Sequence, residues 1–102
     1  MPRRVQVEGD LYHGRVPEGA IYVGRAAPGL KASPFHNVFR PGKEAKDRAE
    51  AVEMYRQYLA NDPELVARAR TELAGHDLAC WCSLDHPCHG DVLLAVAAGE
   101  DP

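Results

Sequence analysis

Two apolar patterns alternate along the chain and together predict a small α/β fold. Short runs rich in β-branched and aromatic residues predict strands over residues 5–7, 20–23 and 77–82. Apolar residues repeated at intervals of three and four predict helices over residues 44–59, 63–73 and 88–98. Strands that alternate with helices favour a short, mostly parallel sheet packed against the helices. We therefore predict one α/β domain, residues 1–102, with three helices.

Two connections leave the carboxyl ends of predicted strands, where ligands collect in parallel α/β sheets. The first connection, residues 25–42, is rich in proline and glycine and is long for a compact domain. Loops of that length are usually functional or mobile. The second connection, residues 83–87, is short and leads into the last helix. We expect the two connections to form the two walls of one ligand site.

Composition narrows the partners of this site. Lys and Arg total 12 against 15 Asp and Glu, a formal net charge of -3. Tight nonspecific binding to duplex nucleic acid requires a basic excess, which this chain does not have. A local contact with nucleic acid remains compatible with the sequence. No apolar run reaches the length of a membrane span, and the basic start is not followed by an apolar signal core, so we expect a cytoplasmic protein without a membrane partner.

Three cysteines and two histidines cluster around the second connection, and three interpretations of them stay open. In the first, Cys88 or Cys82 is a reactive thiol with His89 or His86 as its base. In the second, zinc binds to Cys80, Cys82, Cys88 and His89, with His86 as a possible substitute for either Cys88 or His89. Neighbouring helical residues diverge by about 100°, which disfavours a shared ion for Cys88 and His89. In the third, the cysteines are buried hydrophobes and His89 makes a local hydrogen bond.

Polar residues on both walls are candidates for ligand contacts. The predicted contacts are Arg25, His36, Asn37, Cys82 and Asp91. Arg25 directly follows a strand and could hold a phosphate or carboxylate with its guanidinium fork. Asn37 could bind the edge of a base or ribose, and Phe35 or Phe39 could stack on a ring. The alternative is that Arg25 pairs with a carboxylate, Asn37 supports a turn, and the two phenylalanines pack beneath the loop.

Segments on both walls resemble a known protein family. Residues 78–82, Leu-Ala-Cys-Trp-Cys, with residues 87–93, Pro-Cys-His-Gly-Asp-Val-Leu, resemble the bacterial and phage family called domain of unknown function 4326. Residues 22–25, Tyr-Val-Gly-Arg, are similar to its strand-Gly-Arg element. Residues 35–39 keep the Asn and the final Phe of its Trp-Gly-Asn-Pro-Phe loop but replace the other three residues. The helix over residues 48–59 fits the middle helix of that family.

A weaker similarity connects the chain with a second family, domain of unknown function 488. It rests on Cys80, Cys88 and His89, which match a strand cysteine and a Cys-His pair eight positions later. Members of that family have a Rossmann-like layout, so this resemblance implies a Rossmann-like arrangement here. Neither resemblance implies an activity.

These features favour a domain that binds a nucleotide-like or other phosphorylated ligand at the carboxyl ends of its strands, with no cofactor. Whether it is an enzyme acting on nucleotides or nucleic acid is left open; in that case Cys88 and His89 would be the catalytic pair. The alternative, from a different functional class, is a noncatalytic interaction module stabilised by zinc. The oligomeric state is not determined by the sequence.

Overall fold

A computed structural model of the chain describes residues 2–9, 14–82 and 84–102. Ser83, at the start of the predicted second connection, therefore lies outside the described residues. The elements in chain order are β1 (Arg4–Gln6), β2 (Ala20–Tyr22), α1 (Arg48–Ala60), α2 (Pro63–Glu72), β3 (Asp77–Cys80) and α3 (His89–Ala97).

The three strands form one parallel sheet in the order β1-β3-β2. In its register, Val5 lies opposite Ala79, and Ile21 lies opposite Leu78. The α/β class, the three helices and the parallel sheet predicted from the apolar patterns are all confirmed. Because all strands run the same way, the chain segments that follow β2 and β3 leave the sheet at the same edge.

Two predicted boundaries differ from the structure by more than one residue. The strand predicted over residues 77–82 ends at Cys80, because the carbonyl of Cys80 accepts the last ladder hydrogen bond, from the amide of Val7, at 2.9 Å. The helix predicted to begin at residue 44 begins at Arg48. Its N-cap is Asp47, whose Oδ1 accepts a hydrogen bond from the amide of Glu50 at 2.9 Å.

The core lies where the three helices meet one another and the sheet. α3 contacts β1, β3 and both other helices. The largest fully buried side chains are Tyr55, Leu59, Leu73, Leu78 and Leu93. Burying apolar area of this kind is the main source of folding free energy. Among the described residues, no helix has the length and apolar character needed to cross a membrane.

The first connection is fastened to the core through a buried tyrosine. The hydroxyl of Tyr55, which has no exposed surface, donates a hydrogen bond to the carbonyl oxygen of Phe35 at 2.6 Å. Phe35 is itself buried in the core, so it packs beneath the loop as the alternative interpretation proposed. Phe39 is only half-buried.

Candidate functional site

A cavity of about 370 Å³ opens at the carboxyl ends of β2 and β3. We call it the sheet-end cavity. Its lining comes from the segment after β2, the first turns of α1, the end of β3 and the start of α3. The parallel sheet thus brings together the two connections that the sequence placed at strand ends. Of the residues singled out from the sequence, Arg25, Asn37, Cys82, Cys88 and His89 line it.

Three sulfur atoms converge on one side of this cavity. The Sγ atoms of Cys80, Cys82 and Cys88, here called the cysteine cluster, all lie within 4.8 Å of one another. The Cys80 and Cys88 sulfurs are 2.9 Å apart. Cys80 is the last residue of β3 and Cys82 lies two residues beyond it, whereas Cys88 caps α3 with its side chain turned back toward the amide of Gly90.

The helical divergence expected for Cys88 and His89 does not occur. Cys88 is the N-cap of α3 and has extended backbone angles, φ -147° and ψ 148°, so only His89 is helical. The Cys88 Sγ and the His89 Nδ1 consequently lie 3.6 Å apart. The 100° separation along a helix therefore does not apply to this pair, and whether Cys88 and His89 share an ion stays a prediction.

The three thiols of the cysteine cluster differ in their pKa. Hydrogen bonds from the thiols of Cys80 and Cys88 lower the pKa of Cys82. The hydrogen bond to Cys82 raises the pKa of Cys80, and the hydrogen bond to Cys80 raises the pKa of Cys88. Cys82 is also the only half-buried member, since the other two are buried. Of the three thiols, Cys82 is therefore the one whose thiolate form its neighbours favour.

His89 is buried and is held by contacts on two sides. Its Nε2 lies 2.7 Å from the carbonyl oxygen of Val23, which assigns the proton to Nε2 and leaves a lone pair on Nδ1, the atom nearest Cys88. The ring packs edge-on against Tyr55, with centroids 5.0 Å apart. Burial lowers the pKa of His89, so the imidazole is neutral and can accept a proton or bind a cation through Nδ1.

Arg25 and Asn37 use much of their hydrogen-bonding capacity within the protein. The Arg25 Nε donates to the carbonyl of Asn37 at 2.8 Å, and its Nη2 donates to the carbonyl of Phe39 at 3.3 Å. The Asn37 amide donates to the carbonyl of Ala51 at 3.1 Å and accepts from the amide of Phe39 at 2.9 Å. Asn37 thus fastens the first connection to α1, and Arg25 presents only part of its guanidinium to the cavity.

His36 and Asp91 lie outside the lining of the cavity. The His36 Nδ1 is 2.7 Å from the carbonyl oxygen of Ser33. Asp91 accepts a hydrogen bond from the amide of Cys88 at 3.3 Å in the capping box of α3, and another from the Arg4 Nε at 3.1 Å. A ligand contact by either residue stays a prediction.

Two arginines that the sequence did not single out complete the surroundings of the site. Arg4, on β1, has a side chain only 8% exposed and donates to the carbonyl oxygens of His86 at 2.7 Å and Leu84 at 3.2 Å. Arg48, in the first turn of α1, lines the cavity and is exposed. Among the described residues Arg48 has no hydrogen-bonding partner, and its charge acts on Cys82. Neither arginine belongs to a recognisable motif.

An aromatic pair supports the floor of the cavity. The indole Nε1 of Trp81, the only tryptophan of the chain, donates to the hydroxyl of Tyr22 at 3.0 Å, and that hydroxyl donates to the carbonyl of Arg25. Gly14 lies against the indole: a Cβ at this position would be 2.6 Å from Trp81 Cη2. The close approach explains why a residue without a side chain occupies position 14.

Comparison with known proteins places the chain in a family. No curated protein and no solved structure matches it significantly. A family profile does match, over residues 10–99 of the 102. This range includes both walls of the cavity, the cysteine cluster and all three helices. The chain therefore belongs to the family described as Domain of unknown function (DUF4326).

Proposed function

We propose that this protein binds a small phosphorylated ligand, with nucleotides as the leading class, in the sheet-end cavity. The observation that carries the proposal is an exposed arginine on the wall of a ligand-sized cavity, Arg48, which has no hydrogen-bonding partner among the described residues. Its guanidinium fork matches the oxygen geometry of a phosphate. Arg25 adds a second positive charge to the lining of the cavity.

The apolar part of the lining suits the rest of such a ligand. Phe39 and Trp81 both line the cavity, and aromatic side chains are the usual stacking partners of bases. The position of the cavity, at the carboxyl ends of parallel strands, is the common ligand position in α/β sheets. Together these features favour a ligand with an anionic group and a flat ring.

The proposal is tested by isothermal titration calorimetry with inorganic phosphate and a panel of nucleoside mono- and diphosphates. A charge-assisted hydrogen bond contributes about 1.5–3 kcal/mol, so Arg48→Gln should weaken binding by about 10- to 150-fold. Arg56→Gln is the matched control, because Arg56 lies on the same helix and pairs with Glu53 away from the cavity. Absence of binding by every phosphorylated compound at millimolar concentration would reject the proposal.

The second candidate is a noncatalytic interaction module stabilised by zinc, and the observation that favours it is the convergence of the three sulfurs. Ligand sulfurs 2.3 Å from a tetrahedral zinc ion are separated by about 3.8 Å. The sulfurs of the cluster all lie within 4.8 Å of one another, and those of Cys80 and Cys88, 2.9 Å apart, would have to separate to bind the ion together. His89, with Nδ1 3.6 Å from the Cys88 sulfur, is the fourth ligand of this candidate.

Metal analysis of protein purified without chelators tests the zinc candidate. We expect one zinc ion per chain and a lower melting temperature after chelation, because a metal bound only by the folded state stabilises it. Cys82→Ser should lower the zinc content, whereas His86→Ala, which alters an exposed neighbour outside the cluster, should not. Substoichiometric zinc in the wild-type protein would remove this candidate.

Three finer expectations are part of the proposal. The first is an enzymatic action on nucleotides or nucleic acid with Cys88 and His89 as the reactive pair, for which loss of turnover in Cys88→Ser is the test. The second is a cytoplasmic location, which the three free cysteines support because thiols persist in reducing compartments. The third is a Rossmann-like fold, for which an experimental structure with a significant structural match is the test.

A further inference from the structure

We infer that the cysteine cluster holds one zinc ion through three thiolates, and that the fourth coordination position of the ion opens into the sheet-end cavity. The bound ligand would fill that position with an anionic oxygen. This inference rests on the proposed function and joins the two candidate sites into one.

The position of the sulfurs relative to the cavity is the first reason. Cys80, Cys82 and Cys88 form the compact group of potential metal ligands, and all three also line the sheet-end cavity. A tetrahedral ion bonded to three sulfurs on one wall has its fourth position pointing away from them. Since the three sulfurs share a wall of the cavity, that position faces the cavity space. Zinc sites with three protein ligands and one open position are the arrangement found where zinc binds a water or a substrate.

The position of His89 is the second reason. His89 is not a member of the compact group, although its Nδ1 lies 3.6 Å from the Cys88 sulfur. The 2.7 Å hydrogen bond from Nε2 to the carbonyl of Val23 and the packing against Tyr55 hold the ring in place. Nδ1 lies outside the group whose ligand atoms are all within 4.8 Å of one another, so it would have to move to bind an ion shared with all three sulfurs. The two contacts of the ring oppose that movement, so His89 lies beside the metal site and is not one of its ligands.

Charge is the third reason. Three thiolates and one Zn²⁺ carry a net charge of -1, and the charges of Arg25 and Arg48 both act on Cys82. These two arginines turn the cavity side of the site net positive. An anionic oxygen that binds zinc at about 2.0–2.2 Å can at the same time receive hydrogen bonds from an arginine. A phosphate group satisfies both demands, because it offers several oxygens in a compact group.

Cobalt substitution tests this inference on the full chain. Co²⁺ replaces zinc in tetrahedral thiolate sites, and its visible absorption reports the number and type of its ligands. We expect one Co²⁺ per chain, and a saturable change of its absorption when inorganic phosphate or adenosine 5′-monophosphate is added. Arg48→Gln should shift the midpoint of that change by about tenfold or more, and Arg56→Gln should leave it in place.

The outcomes separate this inference from the proposed function. If calorimetry detects the nucleotide but the Co²⁺ spectrum does not change, the fourth position is closed and the inference is wrong, while the proposed function stands. If neither phosphate nor nucleotide binds the metal-loaded protein, both fail. Less than one metal ion per chain overturns the inference whatever the ligand result. His89→Ala provides an independent measurement: an altered Co²⁺ spectrum before any ligand is added would identify His89 as the fourth ligand and refute the open position.

Discussion

Replacing Arg4 with methionine should be among the most damaging single changes near the site. The Arg4 side chain is 8% exposed and holds the second connection through the carbonyls of Leu84 and His86 and the carboxylate of Asp91. Methionine retains the apolar stem and removes every donor. The two carbonyls lose hydrogen bonds to a charged group, worth about 1.5–3 kcal/mol each, and relaxation of the loop into water recovers part of this. The side chain of Asp91 is 51% exposed, so loss of its ion pair with Arg4 lowers the free energy of unfolding by about 0.5–1 kcal/mol.

The expected loss of unfolding free energy is about 3 kcal/mol, within the range for removing one partner of a buried ion pair when the other partner is partly solvated. For a domain of this size that corresponds to a drop in melting temperature on the order of 15 °C. Urea unfolding followed by circular dichroism measures the loss. The slope of the unfolding free energy against urea concentration should stay unchanged, because the mutation does not alter the area exposed on unfolding. Arg4→Lys keeps the charge without the planar fork and should lose about half as much.

The matched control for this prediction is Arg3→Met. The side chain of Arg3 is exposed, and it is the main-chain amide of Arg3 that donates to the Asp77 carboxylate, at 3.0 Å. Exposed substitutions of this kind change stability by less than about 0.5 kcal/mol. If Arg4→Met proved as mild as this control, the buried guanidinium would not be what holds the second connection in place.

Three further changes test the contacts around the site. Tyr55→Phe removes a hydroxyl that donates to a buried carbonyl at 2.6 Å and should lower the free energy of unfolding by about 1–3 kcal/mol, measured in urea. Tyr58→Phe, on a partly exposed ring, is the control and should change it little. Equal losses in the two variants would contradict a stabilising role for the Tyr55 hydroxyl. Gly14→Ala places a Cβ 2.6 Å from Trp81, so we expect about 1–3 kcal/mol of destabilisation and a shifted tryptophan emission, and an unaltered spectrum would disprove the close contact. Asp62→Ala removes the N-cap of α2 and should cost about 1 kcal/mol, with Asp62→Asn retaining most of the stability; similar losses in both would argue against capping.

The order of strands and helices was predictable because it depends on local patterns. The stripe of α1 and the Asp-Pro-Glu start of α2 are short-range signals, and both helices form, α2 at its predicted first residue and α1 four residues later than predicted. The limits of β3 were not predictable in the same way. A strand ends where its neighbours stop pairing, and β1 and β2 end at Gln6 and Tyr22. The apolar run continues two residues beyond that point, so its length overestimated the strand.

Side-chain roles in the site were less accessible to sequence reasoning. Arg25 and Asn37 were predicted as ligand contacts, and their residue types suit that role, but both donate to main-chain carbonyls of the protein. Asp91 was also predicted as a ligand contact; its carboxylate takes part in the capping box of α3 and pairs with Arg4, and its contact with a ligand stays a prediction. Arg48 was not predicted as a site residue, because the sequence does not distinguish an arginine that lines a cavity from any other exposed arginine on a helix.

The sequence by itself determined the α/β class, the two connections at strand ends and the grouping of cysteine and histidine around the second connection. These depend on periodicity and on residues close together in the chain. Only the tertiary structure decided that three sulfurs converge, that the neighbouring thiols lower the pKa of Cys82, and that Arg4 holds the loop leading to α3. The physical reason is separation along the chain: Arg4 and Asp91 are 87 positions apart, and a hydrogen bond across that distance exists only after the sheet and the last helix have packed together.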